Sequence, residues 1–81
     1  MPLLRVTRLP LRGYSVMGRE RQHLKIHTAG PAGMVDAILW NGADRSRDLL
    51  GARYVDVVGH LESNVWNGYQ RVQFRTVDFQ V

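Results

Sequence analysis

Residues 60–78 constrain the fold most, because they have the pattern of one long β-hairpin closed by a single tight turn. Asn67-Gly68 lies at its centre, and a two-residue Asn-Gly loop is typical of a type I′ turn between antiparallel strands. The apolar groups of each flanking segment share one parity: Val55, Val57 and Leu61 before the turn, and Val72, Phe74 and the methyl group of Thr76 after it. The pattern predicts two paired strands that each present one face to a core.

The length and composition bound the class of protein. Eighty-one residues are enough for one small domain and too few for two separate cores. The chain has no cysteine, so it contains neither a disulfide framework nor a thiolate metal site, which fits a reducing compartment. Arginines interrupt the apolar N-terminus, and no apolar run is long enough to span a bilayer. We expect a soluble cytoplasmic domain with no membrane partner.

The positive charge is concentrated in the first third of the chain. Residues 1–27 contain six cationic residues and one acidic residue, a net charge of +5, whereas residues 28–81 contain five and six, a net charge of −1. Ten of the eleven cations are arginine, which can fork onto a phosphate and stack on a base. A basic segment of this kind favours a polyanionic partner, although a GC-rich genome produces the same arginine bias without a function.

Strand patterns precede the hairpin. The first strand is predicted over residues 5–17, broken at Pro10 and bent near Gly13. The second covers residues 23–28, with Leu24 and Ile26 on one face and His23, Lys25 and His27 on the other. A loop at residues 30–33 leads to a third strand over residues 34–40, which Asn41-Gly42 ends.

A short helix is predicted over residues 43–50, capped by Asp44 or Asn41 and ended by Gly51, with its alanine and leucines on one side. The element order is therefore β-β-β-α-β-β. This order is the plan of a mostly β, five-stranded OB-fold barrel with a short helix between strands 3 and 4.

Several short motifs resemble the C-terminal OB domain of the RecJ family of bacterial exonucleases, which are specific for single-stranded DNA. They are His23-Leu24-Lys25, Asp36-Ala37-Ile38, and the series Leu61, Glu62, Asn64, Trp66 and Gly68 followed by Gln73 and Asp78. The resemblance runs from about Gln22 to the end, while residues 1–21 fit only as a generic first strand. The hairpin series is its most specific part.

The resemblance implies a binding domain of a larger enzyme. RecJ-like enzymes cleave phosphodiester bonds with manganese or magnesium, which DHH-type motifs hold in catalytic domains that these 81 residues lack. The chain is therefore expected to be one OB domain, residues 1–81, from the C-terminal part of a RecJ-like protein that acts in DNA repair and recombination. It would carry no cofactor or enzymatic activity itself. Its partners would be single-stranded DNA, the catalytic domains, and a single-strand-binding protein.

The predicted nucleic-acid-binding residues are cations and aromatic residues of strands and loops. They are Arg12, Tyr14, Arg19, Arg21, His23, Lys25, His27, Trp66, Tyr69, Arg71 and Arg75. Tyr14 is expected to lie among Arg12, Arg19 and Arg21 and to offer a base-stacking surface. His23 and His27 are i, i+4 neighbours, but a strand separates them by about 13 Å, which excludes a shared metal ion.

Structural interpretations stay open beside the functional ones. Trp40 is expected in the core, and Trp66 with Tyr69 also suits a plain cross-strand aromatic pair. Glu62 and Asn64 are expected to form hydrogen bonds within the hairpin, while Arg45 and Arg47 are expected to be merely solvated.

Two other functions compete with single-stranded DNA binding. A basic barrel could instead bind an acidic peptide, such as the tail of a single-strand-binding protein. An autonomous small nuclease is disfavoured, since the sequence lacks the clustered carboxylates and histidines of a two-metal site.

Overall fold

The five strands and the short helix occur in the predicted order. The computed structural model describes residues 2–30, 33–66 and 68–81, and the side chains of these residues except 64–66 and 69–71. Its elements are β1 (Leu4–Met17), β2 (His23–Gly30), β3 (Gly33–Leu39), a 3₁₀ helix (Ala43–Leu49), β4 (Tyr54–Trp66) and β5 (Tyr69–Gln80).

The strands close into a barrel in the order β1-β2-β3-β5-β4, which returns to β1. Among the described strands, the β3–β5 pair is parallel and the other four pairs are antiparallel. A closed five-stranded barrel with a helix between its third and fourth strands is the OB plan. The predicted fold class is confirmed.

Alternation along the strands produces the core. Leu24 and Ile26 on β2 and Val55 and Val57 on β4 are fully buried, as their shared parity predicted. Strand β5 adds Phe74 and Phe79, and the helix, β1 and β3 close the cluster with Leu49, Leu9 and Ala37. Thr28 is also fully buried, and its hydroxyl donates a 2.7 Å hydrogen bond to the Val35 carbonyl across the β2–β3 pair.

Leu61 was predicted to join this core but is 40% exposed. Strand β4 pairs with β1 only as far as Gly59, which lies opposite Leu4, while its pairing with β5 continues to Trp66. Beyond Gly59 the hairpin therefore extends past β1. Leu61 has the parity of a core residue but is covered from one side only.

The first strand is bent, but Pro10 does not break it. Pro10 lies within β1 opposite Tyr54 of β4, and the register shifts instead between Val6 and Leu9 and between Leu11 and Gly13. These irregularities allow one strand to pair with β4 through its first half and with β2 through its second half.

The predicted helix differs in type and cap. It is a 3₁₀ helix that follows Gly42, and neither Asn41 nor Asp44 caps it through a side chain. Leu49 is buried, whereas Leu50 is extended and 71% exposed, so the two leucines do not share a side. Gly51 has a φ of +77°, which fits its predicted position just after the helix.

The hairpin closes where the sequence predicted. Trp66 pairs with Tyr69, and Gly68 has a φ of +79°. Asn67 lies outside the described residues, so the type I′ assignment stays a prediction. Pro31 and Ala32 of the predicted 30–33 loop also lie outside them, between the paired residues Gly30 and Gly33.

Candidate nucleic-acid interface

The polar outer surface of β2 and β3 follows from the same alternation that builds the core. Because Leu24, Ile26 and Thr28 point inwards, His23, Lys25 and His27 must project outwards. Cross-strand pairing places Lys25 opposite Ile38 and His27 opposite Asp36. We call the side chains of residues 23, 25, 27 and 36 the β2–β3 outer face. The predicted row on β2 is therefore present.

A polar network ties three strands together on this face. The His27 Nε2 atom lies 2.9 Å from the Ser15 Oγ of β1, and its Nδ1 lies 2.9 Å from the Asp36 Oδ1 of β3. Lys25 Nζ lies 3.6 Å from the other carboxylate oxygen of Asp36. All three charged or titratable groups are 23–30% exposed. Asp36 thus offsets part of the positive charge that the sequence predicted for this row.

The order of atoms from Ser15 through His27 to Asp36 is that of a hydrolytic triad. Here, however, Asp36 also pairs with Lys25, and each residue belongs to a different strand of one sheet surface. The arrangement is accounted for as a cross-strand hydrogen-bond network, which fixes the tilt of the imidazole over the sheet.

The face continues onto the hairpin. Ile38 pairs with Arg75 of β5, which pairs with His60 of β4, while Asp36 pairs with Gln73. The predicted site residue Arg75 is exposed and lies next to the outer face. The His60 Nδ1 atom is buried, and it lacks a hydrogen-bond partner among the described residues.

Trp40 was predicted in the core and is instead 53% exposed. Strand β3 ends at Leu39, and the Gly42 N–H donates to the Leu39 carbonyl at 3.2 Å, which closes a turn around Trp40 and Asn41. Asn41 has a φ of +60°, a conformation that asparagine tolerates. Leu39 packs against the core, and the turn carries the indole outwards.

His23 supports the exposed indole. The centroids of the two rings are 4.6 Å apart and their planes meet at 80°, an edge-to-face contact. The Asn41 N–H donates to the His23 Nδ1 at 2.9 Å, so the turn that exposes Trp40 also orients the imidazole. A Cβ on Gly42 would overlap the side chain of Leu39, so a larger residue at this position would force Leu39 to shift.

The loop between β1 and β2, residues 18–22, lies next to this aromatic pair. The Arg21 N–H donates to the Gly18 carbonyl, and the Gln22 carbonyl accepts from Ala43 N–H at the start of the helix, both at 3.1 Å. The side chains of Arg19 and Arg21 are exposed, and neither has an ion-pair partner in the part of the chain that the structure describes. The backbone of the loop is held while its two guanidinium groups remain available.

Arg12 and Tyr14 lie in β1, before its C-terminal end at Met17. Arg12 is exposed at the register shift between Leu11 and Gly13. Tyr14 is 38% exposed and pairs with Ile26, three residues from the Met17–His23 pair that borders the loop. At ~3.3 Å per residue this is about 10 Å. β1 continues to Met17 before the loop begins, so Tyr14 is separated along the strand from the two loop arginines, and the expectation that it lies among Arg12, Arg19 and Arg21 stays a prediction.

The remaining predicted site residues lie at the other end of the face. Strand β5 runs parallel to β3, with Gln73 beside Asp36, so the hairpin tip lies towards the Gly30–Gly33 turn and away from residues 18–22. Trp66, Tyr69 and Arg71 belong to this tip, and their side chains lie outside the described residues, as does that of Asn64. Glu62 is half-buried and pairs with Gln73.

Arg45 is a structural residue, which contradicts its prediction as merely solvated. Its guanidinium donates to Asp78 Oδ1 at 2.5 Å and to the Phe79 carbonyl at 2.9 Å, and it lies 4.1 Å from the centroid of the Phe79 ring. The hydrogen bond with Asp78 raises the pKa of Arg45. The same bond, with a second from the Phe79 N–H, holds the pKa of Asp78 below its usual range. Arg47 is exposed, as predicted.

Two cations of the basic first third of the chain belong to the β1–β4 side. Arg5 lies 3.9 Å from the Asp56 carboxylate, and the Arg8 guanidinium lies 4.8 Å from the centroid of the Tyr54 ring. The backbone N–H of Arg8 also donates a 2.8 Å hydrogen bond to Asp56 Oδ1. Only part of the +5 charge is therefore available to the β2–β3 outer face.

Metal ligation and membrane insertion can be assessed for the described ranges. Residues 2–30, 33–66 and 68–81 contain no group of three His, Cys, Asp or Glu side chains that could hold a metal ion. Within the same ranges, the helix is too short to cross a bilayer.

The family model described as RecJ OB domain matches residues 1–78. The match includes residues 1–21, which resembled the family only as a generic first strand, and so covers β1 with its register shifts. A search of curated proteins found no match. With the barrel order β1-β2-β3-β5-β4 and the helix after β3, the match shows that the chain belongs to the RecJ OB domain family.

Proposed function

We propose that this chain is the single-stranded-DNA-binding module of a RecJ-like exonuclease and holds the strand across the β2–β3 outer face. An OB barrel binds oligonucleotides on its second and third strands and the adjoining loops. The observation that carries the proposal is the pair of exposed guanidinium groups, Arg19 and Arg21, in the loop that borders this face.

The charge arrangement suits a phosphate backbone. Arg19 and Arg21 can each fork onto a phosphate, since no carboxylate of the described residues pairs with them. Lys25 adds a third cation but shares its charge with Asp36 at 3.6 Å. Arg75 extends the positive face onto β5. We expect weak binding, with His27 on the outer face itself and the remaining predicted residues Arg12, Tyr14, Trp66, Tyr69 and Arg71 at the margins of the track.

In the proposed RecJ-like protein, catalysis is carried out by domains other than this one. An OB domain is not itself catalytic, and the manganese or magnesium implied by the RecJ resemblance would be held by DHH-type motifs of separate domains. The described residues do not fit such a metal. In the proposed role, the barrel positions a single strand for those domains during DNA repair and recombination.

Fluorescence anisotropy with labelled oligo-dT tests the proposal. We expect the logarithm of the affinity to fall linearly with the logarithm of the salt concentration, with a slope of about 0.7 per phosphate contacted. Duplex DNA of the same length should compete poorly, because stacking needs exposed bases.

A matched pair of charge reversals tests the face. Arg19→Glu with Arg21→Glu should abolish binding, whereas Arg47→Glu with Arg53→Glu, which makes the same charge change at two exposed sites beyond β3, should reduce it only modestly. Equal losses would show that net charge, and not this face, governs binding. An acidic peptide that displaces oligo-dT, while oligo-dT alone binds no more tightly than duplex, would favour the peptide-binding function instead.

A further inference from the structure

We infer that Trp40, supported by His23, is a base-stacking platform at the loop end of the β2–β3 outer face. This inference rests on the proposed function and adds to it a ligand class: the exposed base of a single strand. It follows from the position of the indole, which is 53% exposed and directly adjoins the β2–β3 pair.

The indole is held in place before any ligand arrives. The Leu39–Gly42 hydrogen bond closes the turn that carries Trp40, and the Asn41 N–H fixes His23, whose ring meets the indole at 4.6 Å and 80°. In an edge-to-face contact, the edge of one ring packs against the face of the other. A preorganised aromatic ring loses little conformational entropy when a base stacks on it.

The surroundings favour a nucleotide over an apolar protein partner. The loop of residues 18–22 borders His23, and it presents Arg19 and Arg21 without ion-pair partners in the described ranges. An aromatic surface beside cations is the combination that binds single strands, since the bases stack while the phosphates meet the positive groups. An apolar protein surface would leave these guanidinium groups without a partner.

A comparison of two ligands separates stacking from charge. Oligo-dT and an abasic strand of equal length carry the same phosphates, but only oligo-dT has bases. We expect the wild-type chain to prefer oligo-dT about tenfold or more, the range of one base–aromatic stack. In Trp40→Leu this preference should be largely lost while the affinity for the abasic strand stays unchanged, and Trp40→Phe should retain most of it. Tyr54→Leu, which removes a 45% exposed aromatic ring from β4, is the control and should keep the preference.

The fluorescence of Trp40 also gives a direct measure of base stacking. In a Trp66→Phe variant the remaining indole fluorescence comes from Trp40 alone, and we expect oligo-dT to quench it more strongly than the abasic strand does. Circular dichroism of each variant verifies the barrel.

The outcomes distinguish the two proposals. Failure of the wild-type chain to bind either strand overturns both. Binding of oligo-dT that Trp40→Leu leaves intact, or weakens equally for both strands, overturns the platform and leaves the binding function standing. An unquenched Trp40 with bound oligo-dT likewise overturns the platform and leaves the binding function standing.

Discussion

Arg45 of the 3₁₀ helix and Asp78 of β5 are joined by a 2.5 Å hydrogen bond across 33 positions of the chain. The same guanidinium donates to the Phe79 carbonyl and packs over the Phe79 ring, which belongs to the core. These contacts attach the helix to the last strand of the barrel. They make Arg45 unsuitable as a surface control in binding experiments.

We predict that Arg45→Ala lowers the free energy of unfolding by about 1–3 kcal/mol, since it removes a charge-assisted hydrogen bond to a backbone carbonyl and a cation–π contact. Arg47→Ala, at an exposed site in the same helix, should change it by no more than about 0.5 kcal/mol. Urea unfolding followed by circular dichroism measures both. Equal effects of the two substitutions would mean that the Arg45 contacts contribute nothing to stability.

Asp78 should make stability depend on acid pH. Because its pKa in the folded chain lies below the usual 3.8, its carboxylate contributes stability above that value, and the contribution is lost as pH falls through the folded pKa. The pKa of Arg45 is raised, so its own contribution persists until strong base.

The test compares melting temperatures of the wild-type chain and Asp78→Asn. We expect the variant to melt lower at neutral pH and the two curves to converge in strong acid, below the folded pKa. Asp44→Asn changes an exposed aspartate that has no ion-pair partner in the described ranges, so its difference from wild type should not vary in this way. A difference in melting temperature between wild type and Asp78→Asn that stays constant with pH would contradict the pH-dependent contribution of Asp78.

Alternation of residue types predicts much of this barrel and fails for identifiable reasons. Leu24 and Ile26 are buried because period 2 is a local property of a strand. Leu61 has the correct parity but is exposed, because the end of its neighbour β1 at Leu4 depends on pairing with a segment more than fifty residues away. Parity identifies a face, but only the topology determines how far that face is covered.

The candidate site was predictable to a similar degree. Lys25 and His27 were placed on the outer face by alternation, but their partner Asp36 required the β2–β3 register. Trp40 was missed because it ends an apolar run. The following Asn41-Gly42, which was interpreted as the end of the strand and a possible helix cap, is the signal that could have placed it in a turn.

Gly59 should be a sensitive position in the hairpin. It pairs with Thr76 beside the register shift, and a Cβ there would overlap the Arg75 carbonyl oxygen and lie 2.9 Å from the Thr76 Cα. Backbone atoms cannot move aside as a flexible side chain can. We predict that Gly59→Ala destabilises the chain by about 1–3 kcal/mol.

Val77→Ala is the matched control for Gly59→Ala. Val77 lies in the same register shift but is 58% exposed, so we expect a change within about 0.5 kcal/mol. Thermal melts of the two variants under identical conditions give the comparison. A fully stable Gly59→Ala would show that β4 and β5 can separate at this point without cost.

The last prediction concerns Asp36, which limits the positive charge of the β2–β3 outer face. Its carboxylate contacts both Lys25, at 3.6 Å, and His27, at 2.9 Å. If phosphates approach this face, the carboxylate repels them and competes for the Lys25 ammonium.

Asp36→Asn should therefore strengthen oligo-dT binding several-fold at low salt. It should also steepen the salt dependence by about one further phosphate contact, roughly 0.7 in slope. Asp48→Asn removes the same charge from the helix and should leave the slope unchanged, since among the described residues Asp48 pairs with Arg45 alone, at 3.5 Å. Weaker binding by Asp36→Asn alone would mean that the carboxylate serves the ligand by orienting His27. A phosphate track centred on Lys25 would then be wrong.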